Sequence, residues 1–275
     1  MIEKAYAKIN ISLNVVGKRK DGYHELDMIM VPVSLYDTVY MNKADEMSFE
    51  SNTSLKWDET NLMYRAVMLM KERYGIKSDY RVKLIKRIPE QAGMAGGSAD
   101  CAAVLRLINR LEKLGLNTKE LADIGVKLGA DVPFCVYQQP ARVQGIGERI
   151  RVLKEHERYD VLIVKPEEGV STGKCFALAD STECEHPDMD KVEECYLAHN
   201  GLEKVMGNSL QKPAISLLPD IGEIINEARM MGYDRVLMTG SGSAVFILIQ
   251  KNEDIRKISN HFKKKYKFVS KCHII

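Results

Sequence analysis

A glycine-rich loop between a strand pattern and a helix pattern constrains this chain more than any other segment. Residues 81–88 alternate as a strand that ends at Pro89, residues 90–97 hold three glycines, and a helical pattern begins at Ser98. A loop that enters a helix N-terminus leaves several backbone N–H groups unpaired at the positive end of the helix dipole. Glycine matters there because a Cβ would keep phosphate oxygens away from those amides. The segment predicts a phosphate site, with an ordinary tight loop as the alternative.

Better-known motifs for nucleotide binding and hydrolysis are absent from the sequence. Residues 169–175 read G-V-S-T-G-K-C, with three residues between the glycines and a final Cys, whereas a Walker loop needs four residues and a final hydroxyl. No G-x-G-x-x-G follows a strand pattern, and neither H-E-x-x-H nor G-x-S-x-G occurs. Hydrolase and metalloprotease functions therefore lose their usual support.

The overall charge argues against a protein that holds nucleic acid by general phosphate neutralisation. Lys and Arg together number 40 and Asp and Glu 38, which leaves a formal net charge of +2. Any anion site must therefore be local. At 275 residues the chain has room for one large domain or two modest ones, at roughly 150 residues per domain.

The sequence pattern predicts a cytoplasmic protein with no membrane partner. The N-terminal residues lack the basic flank, apolar segment and cleavage site of a secretion signal. Apolar stretches such as residues 244–249 are much shorter than the roughly 18 residues that span a bilayer. The six cysteines form no C-x-x-C pair, so we expect reduced thiols.

The first half of the chain mixes strand and helix patterns. Residues 5–15 alternate, which predicts a strand with an apolar face toward the core and Lys8, Asn10 and Ser12 in a row on the other face. The further patterns predict an extended region at 28–35, helices at 61–74, 98–114 and 119–128, and strands at 81–88 and 134–137.

The second half has a different order of elements. A strand is predicted at 159–165, then a helix-rich stretch, strands at 235–239 and 244–250, a helix at 254–266 and a strand at 268–275. This β-α-β-β-α-β order is that of a ferredoxin-like fold with extra helices in the first crossover. The charged break at 154–158 predicts two domains, residues 1–158 and 159–275.

Five motifs together carry a resemblance to a known family. They are A-K-I-N at 7–10, D-G-Y-H-E-L at 21–26, P-E-Q-A-G-M-A-G-G-S-A-D at 89–100, G-A-D-V-P-F at 129–134 and T-G-S-G-S at 239–243. On these motifs the chain resembles the GHMP kinase superfamily over nearly its whole length. The resemblance implies an α+β fold of two domains, an N-terminal domain like domain 2 of ribosomal protein S5 and a ferredoxin-like C-terminal domain.

The resemblance also implies an activity. The branch with these motifs is an ATP-dependent small-molecule kinase that phosphorylates the 2-hydroxyl of 4-diphosphocytidyl-2-C-methyl-D-erythritol in the non-mevalonate isoprenoid precursor pathway. The expected partner is thus a small molecule with a cytidine diphosphate group, and ATP is the expected donor. By the same resemblance, Asp131 is the catalytic base and Lys8 its partner near the attacking hydroxyl.

The binding residues follow from the resemblance as well. The ATP-binding loop consists of Pro89, Glu90, Gln91, Ala92, Gly93, Met94, Ala95, Gly96, Gly97, Ser98 and Ala99. In the substrate site, Tyr23 would stack on the cytosine ring, His24 would contact its edge, and Phe176 would supply the opposing ring. The other substrate-binding candidates are Asn10, Thr172, Gly240 and Ser241.

Two positions of the glycine loop depart from the family pattern. Ala95 stands where glycine is common, which predicts a negative φ or a tighter loop there, and Ala99 stands where a second serine is common. Mg²⁺ is expected as the counter-ion of ATP, because the phosphates need charge neutralisation. No protein ligand is assigned to it.

Each candidate also has a simpler explanation in the sequence. Asp131 suits a turn before a proline, Lys8 an exposed strand, Phe176 a helix core, and residues 240–243 a hairpin turn. Two rival functions stay open. A GHMP kinase for homoserine or mevalonate would share the loop, and an RNA-binding protein would share the N-terminal fold.

Overall fold

The computed structural model describes residues 1–154, 159–250 and 253–275. Its strands are β1 (Ile2–Lys18), β2 (His24–Ala44), β3 (Ser48–Ser51), β4 (Asp79–Ile85), β5 (Ala141–Gly145), β6 (Arg149–Val152), β7 (Asp160–Lys165), β8 (Val236–Met238), β9 (Val245–Ile249) and β10 (Phe268–His273). Its helices are α1 (Leu62–Tyr74), α2 (Gly96–Leu111), α3 (Thr118–Gly125), α4 (Val132–Tyr137), α5 (Thr172–Ala179), α6 (Met189–Ala198), α7 (Gln211–Leu217), α8 (Asp220–Met230) and α9 (Ile255–Phe262).

The chain folds into two compact units, each built from separate segments. The first unit comprises Met1–Ala7, Leu35–Pro89 and Ala95–Gln138, and the second comprises Lys8–Ser34, Glu90–Met94 and Gln139–Ile275. The glycine-rich loop is therefore shared between them. The domain boundary predicted near residue 158 stays a prediction, because residues 155–158 of the charged break lie outside the described residues.

The first unit contains helices α1 to α4 and the part of a mixed sheet formed by β3, β4 and the second half of β2. Strand β4 pairs in parallel with β3 and antiparallel with β2, and α1 packs against α2. The helix predicted at 61–74 is confirmed. Asn61 caps it by accepting the N–H of Met63, and Gly75 ends it at a φ of +63°. Asparagine and glycine are favoured at these two ends because each provides what its end requires, a side-chain acceptor and a left-handed backbone.

In the second unit, a four-stranded antiparallel sheet has the order β10-β7-β9-β8. Numbered along the chain, this is the 4-1-3-2 order of a ferredoxin-like fold, so the predicted C-terminal arrangement is confirmed. Helices α5 to α8 lie in the connection between β7 and β8, and α9 lies between β9 and β10. The same unit also contains an antiparallel ladder of β2, β5 and β6.

Strand β1 is longer and more deeply buried than its alternation predicts. The polar residues Lys8, Asn10 and Ser12 are at most 4% exposed, so both faces of this part of the strand lie in the interior. Their polar atoms are satisfied by protein groups. The Ser12 hydroxyl, for example, donates to the Gly207 carbonyl at 2.7 Å. Burial of a polar row is tolerated because each group has a partner.

The strand predicted at 134–137 is wrong, because residues Val132–Tyr137 form helix α4. Pro133 lies at the helix start, where its fixed φ suits the first turn and its missing N–H costs nothing. Gln138 ends the helix with a φ of +51°. A short run of apolar residues does not distinguish a strand from a buried helix by periodicity. Among the described residues, no helix has the length and apolar character that would let it cross a membrane.

Candidate active site

Lys8 and Asn10 lie side by side on β1, two residues apart on the same face. The Lys8 Nζ donates to the Asn10 Oδ1 at 2.7 Å, and the Lys8 side chain is buried. The Asn10 N–H in turn donates to the Thr239 Oγ1 at 3.0 Å. The period-two spacing of a strand thus places an ammonium and an amide together, and Thr239 ties them to the loop after β8.

The first half of the glycine loop rests on the turn between β8 and β9. The Ser243 N–H donates to the Gln91 carbonyl at 3.1 Å, and the Ala244 N–H donates to the Ala92 carbonyl at 3.3 Å. The Thr239 hydroxyl donates to the Gly93 carbonyl at 3.3 Å. Residues 239–244 therefore both connect two strands and hold the loop of residues 90–94.

Gly93 is required by this contact. Its φ is +69°, and a Cβ built there would lie 2.0 Å from the Thr239 carbonyl oxygen. Gly240 lies close by. A Cβ built on it would be 2.9 Å from the Gly93 carbonyl oxygen and 3.3 Å from the Lys8 Nζ. Lys8, Gly93 and Gly240 therefore converge in the second unit, where only glycine permits so close an approach of two backbones.

The second half of the glycine loop begins helix α2 in the first unit. The helix starts at Gly96, two residues before the predicted start at Ser98. Ala95 occupies the N-cap position with a φ of +55°, so the expected negative φ is wrong. Its side chain offers no acceptor to the first-turn N–H groups. Those groups and the helix dipole suit an anion such as a phosphate.

Asp131 lies at the N-cap position of α4 in the first unit. Its carbonyl accepts the Cys135 N–H at 3.1 Å, and Pro133 fixes the backbone just after it. The close approach of α3 contributes, since a Cβ on Gly125 would be 2.8 Å from the Val132 Cγ1. Asp131 is therefore held by a rigid turn. Its pairing with Lys8, which belongs to the second unit, stays a prediction.

A ring stack in the second unit involves two of the predicted substrate residues. The His24 and Phe176 rings stack with centroids 4.7 Å apart and planes at 28°. The Tyr23 side chain is 60% exposed, and its N–H donates to the Asp21 Oδ1 at 3.1 Å. The ring that lies against Phe176 is thus His24, whereas the sequence predicts Tyr23 opposite Phe176 with a base between them.

Asp180 is a residue of this stack that sequence reasoning missed. Its Oδ1 lies 2.7 Å from the His24 Nε2, and its Oδ2 accepts from the Lys18 Nζ at 2.5 Å. Hydrogen bonds from His24 and then Lys18 hold the pKa of this carboxyl below its usual value. The signal in the sequence was its position four residues after Phe176, because residues at that spacing share a helix face.

Thr172 and Ser241, two further predicted substrate-binding residues, lie next to each other. Their hydroxyl oxygens lie 2.9 Å apart, which links the start of α5 to the turn between β8 and β9. Within the second unit, the structure thus joins Lys8, Asn10 and residues 90–94 to the same turn that contacts α5.

In residues 1–154, 159–250 and 253–275, there is no cluster of three or more His, Cys, Asp or Glu side chains that could hold a metal ion.

Comparisons with known proteins agree on one family. The model of the GHMP kinases N terminal domain matches residues 61–139, and that of the GHMP kinases C terminal domain matches residues 182–267. A 4-diphosphocytidyl-2-C-methyl-D-erythritol kinase of Bacillus licheniformis is 41% identical over 94% of this chain and 92% of its own. The enzyme of the same name from Bacillus subtilis is 39% identical with the same coverage of both chains.

Solved structures give the same result for the fold. A crystal structure of 4-(cytidine 5'-diphospho)-2C-methyl-D-erythritol kinase superposes with a TM-score of 0.84 at 30% identity, over 100% of this chain and 99% of that one. A homoserine kinase from Cytophaga hutchinsonii superposes with a TM-score of 0.75 at 17% identity, over 98% of this chain and 94% of that one. The second likeness shows the fold alone.

Two glycine substitutions separate support of the loop from access to it. Gly93→Ala forces a methyl into the Thr239 carbonyl at a positive φ, so we expect it to lower the free energy of unfolding by at least roughly 1–3 kcal/mol. Gly97→Ala meets no described atom within 4 Å and lies in the first turn of α2, so stability should be unchanged or higher by up to about 1 kcal/mol. Urea unfolding measures both changes.

The same pair of variants tests the loop as a phosphate site. We expect Gly97→Ala to weaken ATP binding despite its intact stability, because a methyl would stand before the first-turn N–H groups. Isothermal calorimetry with a non-hydrolysable ATP analogue measures the affinity. Wild-type affinity in Gly97→Ala would contradict a phosphate site at this helix start.

Proposed function

The chain belongs to the GHMP kinase family and, within it, to the 4-diphosphocytidyl-2-C-methyl-D-erythritol kinases, and we propose that it transfers the γ-phosphoryl group of ATP to the 2-hydroxyl of that cytidyl substrate. GHMP kinases use ATP, and the substrate is a small molecule with a cytidine diphosphate group. The observation that carries the proposal is structural. One compact unit contains Lys8, the loop of residues 90–94 that rests on Thr239, and a ring stack at His24 and Phe176.

In this proposal Asp131 removes the proton of the attacking hydroxyl late in the reaction. A carboxylate is far too weak a base to deprotonate an alcohol in the ground state, because the pKa of an alcohol lies far above that of a carboxylic acid. As the O–P bond forms, however, the hydroxyl becomes more acidic. A weak base is then sufficient, because a loose phosphoryl-transfer transition state does not require the alcohol to be deprotonated before it attacks. The rigid start of α4 would hold the carboxylate in place for this transfer.

Lys8 would stabilise the charge that develops on the transferring phosphoryl oxygens. Its side chain is buried, so its ammonium acts with little screening by water. Asn10 accepts a hydrogen bond from its Nζ and thereby fixes its direction.

Mg²⁺ would accompany ATP in this proposal, since a divalent cation neutralises the phosphate charge. Magnesium in nucleotide sites is often bound largely by water and substrate phosphates. The loop amides at the start of α2 would bind phosphate oxygens in this proposal.

Cytosine recognition would use the ring stack. The base would stack on the face of Phe176 that His24 does not cover, and a ring nitrogen and backbone groups of His24 would contact the base edge. The Asp180 Oδ1 lies within hydrogen-bond distance of the His24 Nε2, and this contact orients the imidazole ring. Stacking raises the affinity for a base but does not distinguish cytosine from other bases. Discrimination between bases would therefore come from hydrogen bonds to the base edge.

A panel of alcohols tests the proposed substrate. ADP release is followed with 4-diphosphocytidyl-2-C-methyl-D-erythritol, mevalonate and homoserine under the same conditions. We expect turnover of the cytidyl compound alone, because the other two alcohols have no base to occupy the stack at Phe176. Turnover of mevalonate or homoserine at a comparable kcat/KM would place the enzyme elsewhere in the GHMP kinases.

The role of Asp131 is tested by Asp131→Asn. We expect kcat to fall by roughly 10²–10⁴-fold, the usual contribution of a general base, while ATP affinity is retained. The matched control is Asp123→Asn, which makes the same change at an exposed site on α3 paired with Lys119. An Asp131→Asn enzyme with the kcat of the control would remove Asp131 from the mechanism.

The role of the ring stack is tested by Phe176→Ala. A lost stacking contact of about 1–3 kcal/mol should raise KM for the cytidyl substrate by roughly 5–150-fold, with KM for ATP unchanged. Phe49→Ala is the control, since it removes a ring from another stack, with Trp57 at 4.7 Å in the first unit. Steady-state kinetics with each substrate varied in turn measure both constants. Equal effects on the two KM values would argue against base stacking.

A further inference from the structure

A buried lysine lies between the two ends of the glycine loop in the first unit. Lys86 comes just after β4 and three residues before Pro89, while Asp100 follows the loop on α2. The Lys86 Nζ donates to the Asp100 Oδ2 at 2.9 Å and to the Asp37 Oδ2 on β2 at 2.5 Å. All three side chains are at most 7% exposed. One ammonium therefore joins the segment that enters the loop to the segment that leaves it.

Asp37 extends this connection to the backbone. Its Oδ1 accepts the N–H of Ile88 at 2.8 Å and also the N–H of Arg87, so the approach to Pro89 is fixed by hydrogen bonds. The helix start packs directly on the lysine. A Cβ on Gly96 would lie 3.1 Å from the Lys86 Nζ and 3.1 Å from the Ile88 Cγ2. Both ends of the loop are thus held against one charged group.

The two carboxylates are not equivalent. Asp37 accepts hydrogen bonds from Lys86 and from two backbone N–H groups, whereas the buried Asp100 Oδ1 has no hydrogen-bond partner among the described residues. Burial raises the pKa of Asp100 to about 7, against the opposing effect of Lys86. Burial alone would lower the pKa of Lys86, but the two carboxylates outweigh it and raise it.

A contribution to the stability of the fold does not by itself explain this buried cluster of one lysine and two aspartates. A buried ion pair usually contributes no more than well-packed apolar groups of the same volume would, because desolvation offsets the attraction. A third charge that is incompletely paired adds a further cost. The loop between the two ends also contains strained backbone, since Gln91 and Ala95 have φ values of +49° and +55°. Conformations of this kind persist only where the surroundings determine them.

We propose that Lys86 is a positioning residue for the kinase reaction, and that by binding Asp37 and Asp100 it fixes both ends of the glycine loop and so aligns the N–H groups of α2 with the phosphates of ATP. The inference rests on the proposed function, because it assigns ATP to this loop. It concerns the affinity for ATP and not the affinity for the cytidyl substrate.

Asp100→Ala is the decisive variant. It removes the link between Lys86 and α2 but leaves Lys86 and Asp37 as a pair of opposite charges, so the variant should fold with unchanged or higher stability. We expect KM for ATP to rise about tenfold or more, equivalent to about 1.4 kcal/mol. KM for the cytidyl substrate should change less than about twofold, and kcat little.

Three further variants separate positioning from general support of the fold. Asp100→Asn keeps an oxygen that can accept from Lys86, so it should restore KM for ATP to within about threefold of the wild type. Lys86→Met should raise KM for ATP at least as much as Asp100→Ala. The control, Asp27→Ala, breaks a largely buried ion pair with Arg142 in the second unit and should lower the melting temperature without changing KM for ATP.

The outcomes are distinct. A rise in KM for ATP in Asp100→Ala that Asp100→Asn reverses and Asp27→Ala does not share supports the proposal. A KM for ATP in Asp100→Ala within twofold of the wild type overturns it, whether or not Lys86→Met folds. If the wild type phosphorylates none of the alcohols, the proposed function fails. Calorimetric affinities for the ATP analogue in the same variants then still decide the positioning role.

Discussion

The hydroxyl of Thr239 is the interaction on which the arrangement of the second unit depends. It accepts the Asn10 N–H from β1 and donates to the Gly93 carbonyl of the glycine loop, while the Thr239 N–H donates to the Ala244 carbonyl across the turn. Thr239 is fully buried, so each of these groups would be costly to leave without a partner. One side chain therefore joins a strand near the N-terminus, the loop and the turn between β8 and β9.

Local elements of the fold could be predicted, because their signals are local. Asn61 and Gly75 mark the two ends of α1, and the order of strands in the C-terminal sheet follows from a simple count of elements. The failures have physical reasons as well. The run at residues 132–137 is too short for its period to decide between strand and helix, and Ala95 adopts a left-handed backbone that its side chain does not predict. The burial of both faces of β1 depends on segments far along the chain.

Some residues of the candidate site could likewise be predicted from the sequence, and others could not. Lys8 and Asn10 could be placed together from the alternation of a strand, and Asp180 could have been found from its helical spacing to Phe176. No such pattern links Asp37, Lys86 and Asp100, which come from β2, the residue just after β4, and α2. A partnership of this kind appears only when the topology brings the elements together. The predicted roles of Lys8 and Asp131 rest on motif resemblance, and the structure adds the local geometry of each.

The contact between Thr239 and Gly93 has a consequence for the synthesis of the protein. The two residues are 146 positions apart, so the loop is translated long before its support exists. At roughly 5–20 residues per second, the nascent loop waits about 7–30 s for residue 239 to be added. A ribosome-bound chain that stops short of β8 therefore cannot bury Gly93 against its partner, and premature termination products would carry this glycine-rich segment exposed to proteases and chaperones.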